Sequence, residues 1–180
     1  MPSSTPLLIS FVCSRIVNGL RGWNLESKSM LDIGVGYGKY GFLAREYAGG
    51  FYPRADKEKP LRVDGIERYE PYIQAIHKLV YDNVYIGNAS EVIKSLGIYD
   101  LILCIDMLEH LPKDQGLSLL KDIKLHGKSA LVITPRNPKP QDAYYENVYE
   151  KHISNWNGNE LSPFGSLANT KLKVHILEMK

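Results

Sequence analysis

The residues best placed to do chemistry are the acid and three alternating glycines of Asp32-Ile33-Gly34-Val35-Gly36-Tyr37-Gly38. Glycines at this spacing let the backbone turn with positive φ and approach a ligand with no Cβ in between. A helical pattern follows at once, with Tyr40, Leu43, Ala44 and Tyr47 at one-sided spacing. The first N–H groups of such a helix and the positive end of its dipole suit a carboxylate or a phosphate. Two phosphate-binding patterns nevertheless fail. A dinucleotide turn, G-x-G-x-x-G, would place its last glycine at Lys39, and Glu67 lies beyond the acid it requires. A P-loop needs Ser or Thr after Gly-Lys, and Tyr40 stands there.

A second set of polar residues closes successive apolar runs: Asp32/Gly34, Glu67, Asn88, Asp106 and Thr134. In an open α/β sheet the ligand sits outside the carboxyl ends of the strands, so these five should gather in one crevice. Each has a plainer explanation alone, with Glu67 a solvated strand end, Asn88 a turn former and Asp106 a helix cap. His110 and His152 are placed to act as general bases towards a hydroxyl. Glu109-His110 could equally cap the next helix, and His152 could anchor its own segment by hydrogen bonding. His77, His126 and His175 read as structural or exposed. Asp106, Glu109, His110 and His152 would be the donor set of a metal site, but no spacing enforces one and none is expected.

The elements that must position these residues alternate along the chain. Residues 6–20 carry Leu8, Phe11, Val12, Ile16 and Leu20 at helical spacing, closed by Gly19 and Gly22. Strands are expected at 30–33, 61–67, 84–88, 101–106 and 130–134. Helices are expected from Pro71 (Ile73, Ile76, Leu79 and Val80 on one face), from an N-cap at Ser90, and from Pro112 (Leu117, Leu120 and Ile123 inward). A polar stretch at 49–60 joins a helix to a strand. Beyond Pro135 come about 35 residues, longer than a structural connection requires. They hold Tyr144, Tyr145, Tyr149, His152, Trp156 and a helix expected over 158–167. A final strand at 172–177 should form an edge. The fold class is therefore α/β, a doubly wound, mostly parallel sheet of about six strands with a shortened C-terminal edge. Residues 1–180 read as a single domain, with an N-terminal helical segment at 1–28 and a lid or substrate segment at 135–168.

The net charge of +2 neither demands nor excludes a nucleic-acid partner. Cys13 and Cys104 sit in apolar segments and read as buried thiols of a reducing compartment. With no apolar run of about 20 residues and no signal-peptide pattern, a cytoplasmic protein without a membrane partner is expected.

Asp32-x-Gly34-x-Gly36-x-Gly38 resembles the first motif of the class I S-adenosylmethionine-dependent methyltransferases. Val63-Asp64-Gly65-Ile66-Glu67 is similar to their second motif, in which the strand-end acid accepts from both ribose hydroxyls. Gly87-Asn88-Ala89 resembles the segment beside adenine, and Asp100 to Leu111 the fourth-strand motif at the methionine end. Glu150-Lys151-His152-Ile153-Ser154-x-Trp156 resembles a region of many small-molecule and sugar methyltransferases.

The resemblance implies a Rossmann-like methyltransferase fold and S-adenosyl-L-methionine as cofactor. It places the cofactor against Asp32, Gly34, Gly36, Tyr37, Gly38, Glu67, Arg68, Asn88, Ala89, Asp106 and Met107, with His110 and His152 as catalytic candidates. The family's sheet has seven strands, and this chain leaves room for one after the fifth. A homodimer covering the open edge is the corresponding expectation. Asp106-Met107-Leu108 replaces the Asn/Asp-Pro-Pro-Tyr of amino-methylating members. The aromatic-rich segment suits a small-molecule or saccharide acceptor, because flat faces pack on either. The alternatives are an RNA or protein methyltransferase, or a non-catalytic cofactor-binding partner subunit.

Overall fold

In the computed structural model, which describes residues 6–20, 28–48, 61–144 and 146–180, the apolar runs become neighbours in one sheet. Its strands are β1 (Ser29–Ile33), β2 (Arg62–Glu67), β3 (Asn83–Ile86), β4 (Leu101–Ile105), β5 (Ala130–Pro135), β6 (Ser166–Leu167) and β7 (Val174–Met179). The helices are α1 (Ile9–Leu20), α2 (Lys39–Ala48), α3 (Ala75–Val80), α4 (Ala89–Val92), α5 (Lys113–His126) and α6 (Gly158–Leu161). Strand order is β3-β2-β1-β4-β5-β7-β6, with β1 to β5 parallel and the last two strands antiparallel. The order reverses between β1 and β4, and a crevice opens at the carboxyl ends of strands at such a point.

Both faces of the sheet are covered, which is why β4 is apolar at every position. Met30, Val63, Leu103 and Leu131 pack with Leu8, Val12 and Ile16 on one side. Leu31, Ile33, Ile102 and Cys104 pack with Leu119, Leu120, Ile123 and Trp156 on the other. Neighbouring strand residues thus serve opposite layers, as the alternation of a pleated strand requires. Trp156 is 2% exposed and fits against Gly116 of α5, where an added Cβ would lie 2.4 Å from the indole.

Four local expectations are corrected. The edge expected to be missing is present: β7 lies between β5 and the two-residue β6 rather than at the margin, giving seven strands. The premise for a homodimer goes with it. The helix expected over 158–167 is only Gly158–Leu161. Gly165 then runs so close to β7 that a Cβ would sit 2.3 Å from the Glu178 carbonyl oxygen, a passage open to glycine alone. Pro71 opens a short 3-10 turn, Glu70–Tyr72, and α3 begins later with Ile76 and Leu79 exposed. Its inward residues are His77 and Val80, because a hydrogen bond from His77 outweighs the apolar stripe. The cap of α4 is Asn88, not Ser90: Asn88 Oδ1 accepts from the Ser90 N–H at 3.2 Å.

No helix among the described residues is long and apolar enough to cross a membrane. The 49–60 stretch, Gly22 and Tyr145 lie outside the described residues.

Candidate functional site

At the carboxyl ends of β1, β2, β4 and β5 lies a cavity of about 410 Å³. Its floor is the glycine turn between β1 and α2. Gly34, Gly36 and Gly38 all have positive φ (81°, 49° and 78°), a backbone path that strains any residue with a Cβ. The turn is held from both sides. Gly36 N donates to Glu67 Oε2 at 3.1 Å, and Tyr69 N donates to Glu67 Oε1 at 2.9 Å. Behind it, His77 is fully buried and its Nε2 lies 2.9 Å from the Gly36 carbonyl oxygen. The Gln74 N–H donates to His77 Nδ1 at 2.9 Å, so Nε2 carries the proton and donates to Gly36.

Gly34, Gly36, Glu67, Arg68, Asn88, Ala89, Asp106, Met107, His110 and His152 all line this cavity. Four predicted residues do not, the first being Thr134, which is buried and donates to Glu109. Asp32 lies beneath the turn, 2% exposed, and accepts from the Tyr81 hydroxyl at 2.6 Å. Tyr37 points outward, 44% exposed. Gly38 packs on Tyr81 and His77. Asn88 meets the cavity with its amide already engaged, Oδ1 accepting from Ser90 N and Oγ while Nδ2 donates to Gln115.

Burial pushes the Asp32 carboxyl up to about 7, against the pull of the Tyr81 hydrogen bond. A folded value above the unfolded one of about 4 means that the folded state keeps a proton the unfolded chain has released. The stability from that proton is complete below about pH 4 and is lost as pH rises to about 7. Asp32→Asn keeps an acceptor for Tyr81 and should flatten this decline. Urea unfolding at about pH 5 and about pH 8 measures it, and an unaltered difference between the two would refute burial as the cause.

Pro135, Gln141, Asn147, Tyr149, Glu150 and His152 form a further wall. The N–H groups of Ile153 and Ser154 donate to the Glu109 carbonyl at 2.9 and 3.1 Å, and Ser154 Oγ donates to the Leu108 carbonyl. Arg68 lies over the Tyr149 ring, 4.1 Å from its centroid, joining the end of β2 to the same segment. Folding back this way sets the His110 and His152 rings 4.9 Å apart. Glu109 caps no helix. Its carboxylate is 1% exposed and accepts from Thr134 Oγ1 at 2.9 Å. Burial and the Asp106 charge raise Glu109 to about 8, while burial lowers His110 to about 4, helped by His152.

Tyr72, Gln141, Asn147 and Glu150 also line the cavity; of these only Glu150 lies in a motif singled out in the sequence. Asn147-x-x-Glu150 is a turn signature, and Asn147 does accept from the Tyr149 N–H, but nothing in that pattern points to a cavity. The Tyr72 hydroxyl is buried beside Asn147 and Glu150 with no well-aligned hydrogen bond to either. An orphaned buried hydroxyl is costly, and a polar ligand group in the cavity would satisfy it. The lining carries the carboxyl groups of Glu67, Asp106, Glu109 and Glu150, of which Glu109 is raised to about 8, against the one guanidinium of Arg68 and the Lys39 ammonium near Asp106. Such a site favours a cationic guest over a polyanionic one. A glycine floor, a strand-end carboxylate and an orphaned hydroxyl around a cavity of this size fit a nucleoside-sized ligand bearing positive charge.

No protein-family model matches the chain, and no curated protein matches it. Solved structures do. A SAM-dependent methyltransferase from Archaeoglobus fulgidus aligns at 21% identity with a TM-score of 0.61, over 89% of this chain and 66% of that one. A TehB-like SAM-dependent methyltransferase from Corynebacterium glutamicum aligns at 13% identity and TM-score 0.61, over 96% and 91%. The mitomycin 7-O-methyltransferase MmcR aligns at 16% identity and TM-score 0.55, over 94% of this chain and 53% of that one. This chain thus spans about half to two thirds of the first and last of these proteins. At such identities the likeness establishes a shared fold, that of the Rossmann-like methyltransferases.

Proposed function

We propose that this chain is an S-adenosyl-L-methionine-dependent methyltransferase that acts on an oxygen of a small molecule or saccharide. The observation that carries the reading is the glycine turn hydrogen-bonded to Glu67, with both facing one cavity beside the β1/β4 reversal. When bound, the cofactor supplies a methyl carbon already activated by a positively charged sulfonium. Gly34 and Gly36 would receive its amino-acid end beside Asp106 and Met107, and Glu67 would accept from its ribose hydroxyls. Ala89 would border the adenine. Asn88 has both lone pairs of Oδ1 committed to Ser90, so it offers the base no free acceptor.

The chain's contribution to the reaction is mainly positional. Holding two reactants in line can account for about 7–11 kcal/mol of barrier reduction. His110, just past β4, and His152 both line the cavity and would orient an acceptor hydroxyl or, with no cation on them, take its proton, an effect on the order of 10²–10⁴-fold. Backbone and side-chain bonds from Ile153 and Ser154 to the turn after β4 would fix where the acceptor lies. The acidic lining supports a small acceptor over a phosphodiester chain. Among the described residues, two arginines that could serve RNA are engaged otherwise: Arg45 is bonded to Asp82, and Arg15 to Glu178. O-methyltransferases of small molecules such as MmcR share the fold, which agrees with this reading.

The test begins with calorimetric titration of S-adenosylmethionine and S-adenosylhomocysteine, for which we expect one site per chain. Methyl-labelled cofactor is then supplied with panels of phenols, hydroxylated small molecules, sugars, RNA and protein. Label should appear in a small hydroxylated acceptor. Label only in RNA or protein overturns the acceptor assignment, and no binding of either nucleoside overturns the whole reading.

A further inference from the structure

We infer that Glu109, His110 and His152 form a three-ligand site for a divalent transition-metal cation within this cavity. One donor atom from each lies within 4.8 Å of the other two. Even at that outer limit the centre of the triangle is about 2.8 Å from each atom, against about 2.1 Å in a metal–ligand bond, a gap that small side-chain rotations close.

Both imidazoles are held through their second nitrogen. His110 Nδ1 is 3.1 Å from the Lys151 carbonyl oxygen, and His152 Nδ1 is 2.7 Å from that of Lys139. A carbonyl only accepts, so in each neutral ring the proton sits on Nδ1 and Nε2 keeps a lone pair. This backbone anchoring of the second nitrogen is how metal-binding histidines are oriented. The two rings, so anchored, stand 4.9 Å apart and tilted by 58°. Glu109 is anchored in the same manner, with one oxygen accepting from Thr134.

Two imidazoles and a carboxylate suit Mn²⁺, Fe²⁺, Co²⁺ or Zn²⁺ better than Mg²⁺ or Ca²⁺, which prefer oxygen ligands throughout. Three protein ligands leave coordination positions open towards the cavity. The site's meaning for catalysis rests on the methyltransferase reading: with both imidazole lone pairs on the cation, neither ring would take a proton, and an acceptor hydroxyl filling an open position would be acidified by the cation and release its proton to water. Whether the cation binds does not depend on that reading.

The experiment uses the full chain stripped with chelator and titrated with Co²⁺, followed by visible absorption and calorimetry. One Co²⁺ per chain should bind with ligand-field bands. His152→Ala and Glu109→Gln should each weaken binding by more than the roughly 10–100-fold that loss of an outer-shell partner costs. His152 is only half-buried, so its variant carries the test if Glu109→Gln fails to fold. Metal-free melting of both variants serves as the folding control. Absence of saturable Co²⁺ binding to the parent, or parent-like binding by folded His152→Ala, overturns the site. A parallel titration of metal-free parent with S-adenosylhomocysteine separates the two claims. Nucleoside binding without Co²⁺ binding removes the metal and leaves the methyltransferase reading. Co²⁺ binding without nucleoside binding does the reverse.

Discussion

Gly36→Val abolishes binding of S-adenosylmethionine and S-adenosylhomocysteine while the protein still unfolds in one cooperative transition. Gly36 has φ of 49° and lines the cavity, so a branched side chain there meets two penalties of different size. The backbone penalty is about 1–2 kcal/mol for an L-residue held in the left-handed region. Set against a typical folding stability of about 5–15 kcal/mol, it lowers the melting temperature without unfolding the chain. The binding penalty is larger, because the turn cannot move aside. Its N–H is tied to Glu67 and its carbonyl to the buried His77, so the new methyl groups occupy ligand space. We expect affinity to fall by at least about 100-fold, or 2.7 kcal/mol. Gly97→Ala is the control, since an added Cβ there meets nothing within 4 Å. Calorimetry on both variants decides the matter: parent-like affinity in Gly36→Val would place the ligand elsewhere.

The parts of this site that could be read from the residues are those built by local pattern. A parallel strand covered on both faces must be an apolar run, and its first polar residue marks the end that meets the ligand. That logic found Glu67, Asn88 and Asp106, and all three border the cavity. It misplaced Asp32, because an acid at a strand end can turn below the glycine turn as readily as above it. The partner that draws it down, Tyr81, lies 49 residues away. Arg45 was hidden for the same kind of reason. It is 7% exposed inside the α2 layer because the Val80 and Leu61 carbonyls and the Asp82 carboxylate surround its guanidinium, and none is near it in sequence. The facing of α3 went wrong where one long-range hydrogen bond, His77 to Gly36, outweighed hydrophobic periodicity. The small β6 carries too few residues to show an alternation at all. The further wall of the cavity was legible only as a long aromatic segment. Its contact with the β4 turn, which brings His152 beside His110, depends on backbone bonds from Ile153 and Ser154 to Glu109 that no side-chain pattern encodes.

Glu67→Ala should weaken binding of the same ligands by about 1.5–3 kcal/mol, or roughly 10–150-fold, the usual worth of a hydrogen bond to a charged group. Glu67 also has structural duties. Its two oxygens accept from Gly36 N and Tyr69 N, so truncation also leaves two N–H groups without partners and loosens the floor. Burial holds its carboxyl above the ordinary glutamate range, and those same N–H groups oppose the shift. Loss of affinity alone therefore cannot tell a carboxylate that grips the ligand from one that only shapes the turn. A cycle with a ribose-modified ligand separates them. If Glu67 accepts from the ribose hydroxyls, an S-adenosylhomocysteine analogue lacking one of them has already lost part of what the mutation removes. The penalty of Glu67→Ala then shrinks for the analogue, with a coupling on the order of 0.5–3 kcal/mol. If Glu67 only braces Gly36, the mutation costs the same with either ligand and the coupling vanishes. Zero coupling would move Glu67 from the binding residues to the scaffold, and leave the glycine turn as the main determinant of where the ligand lies.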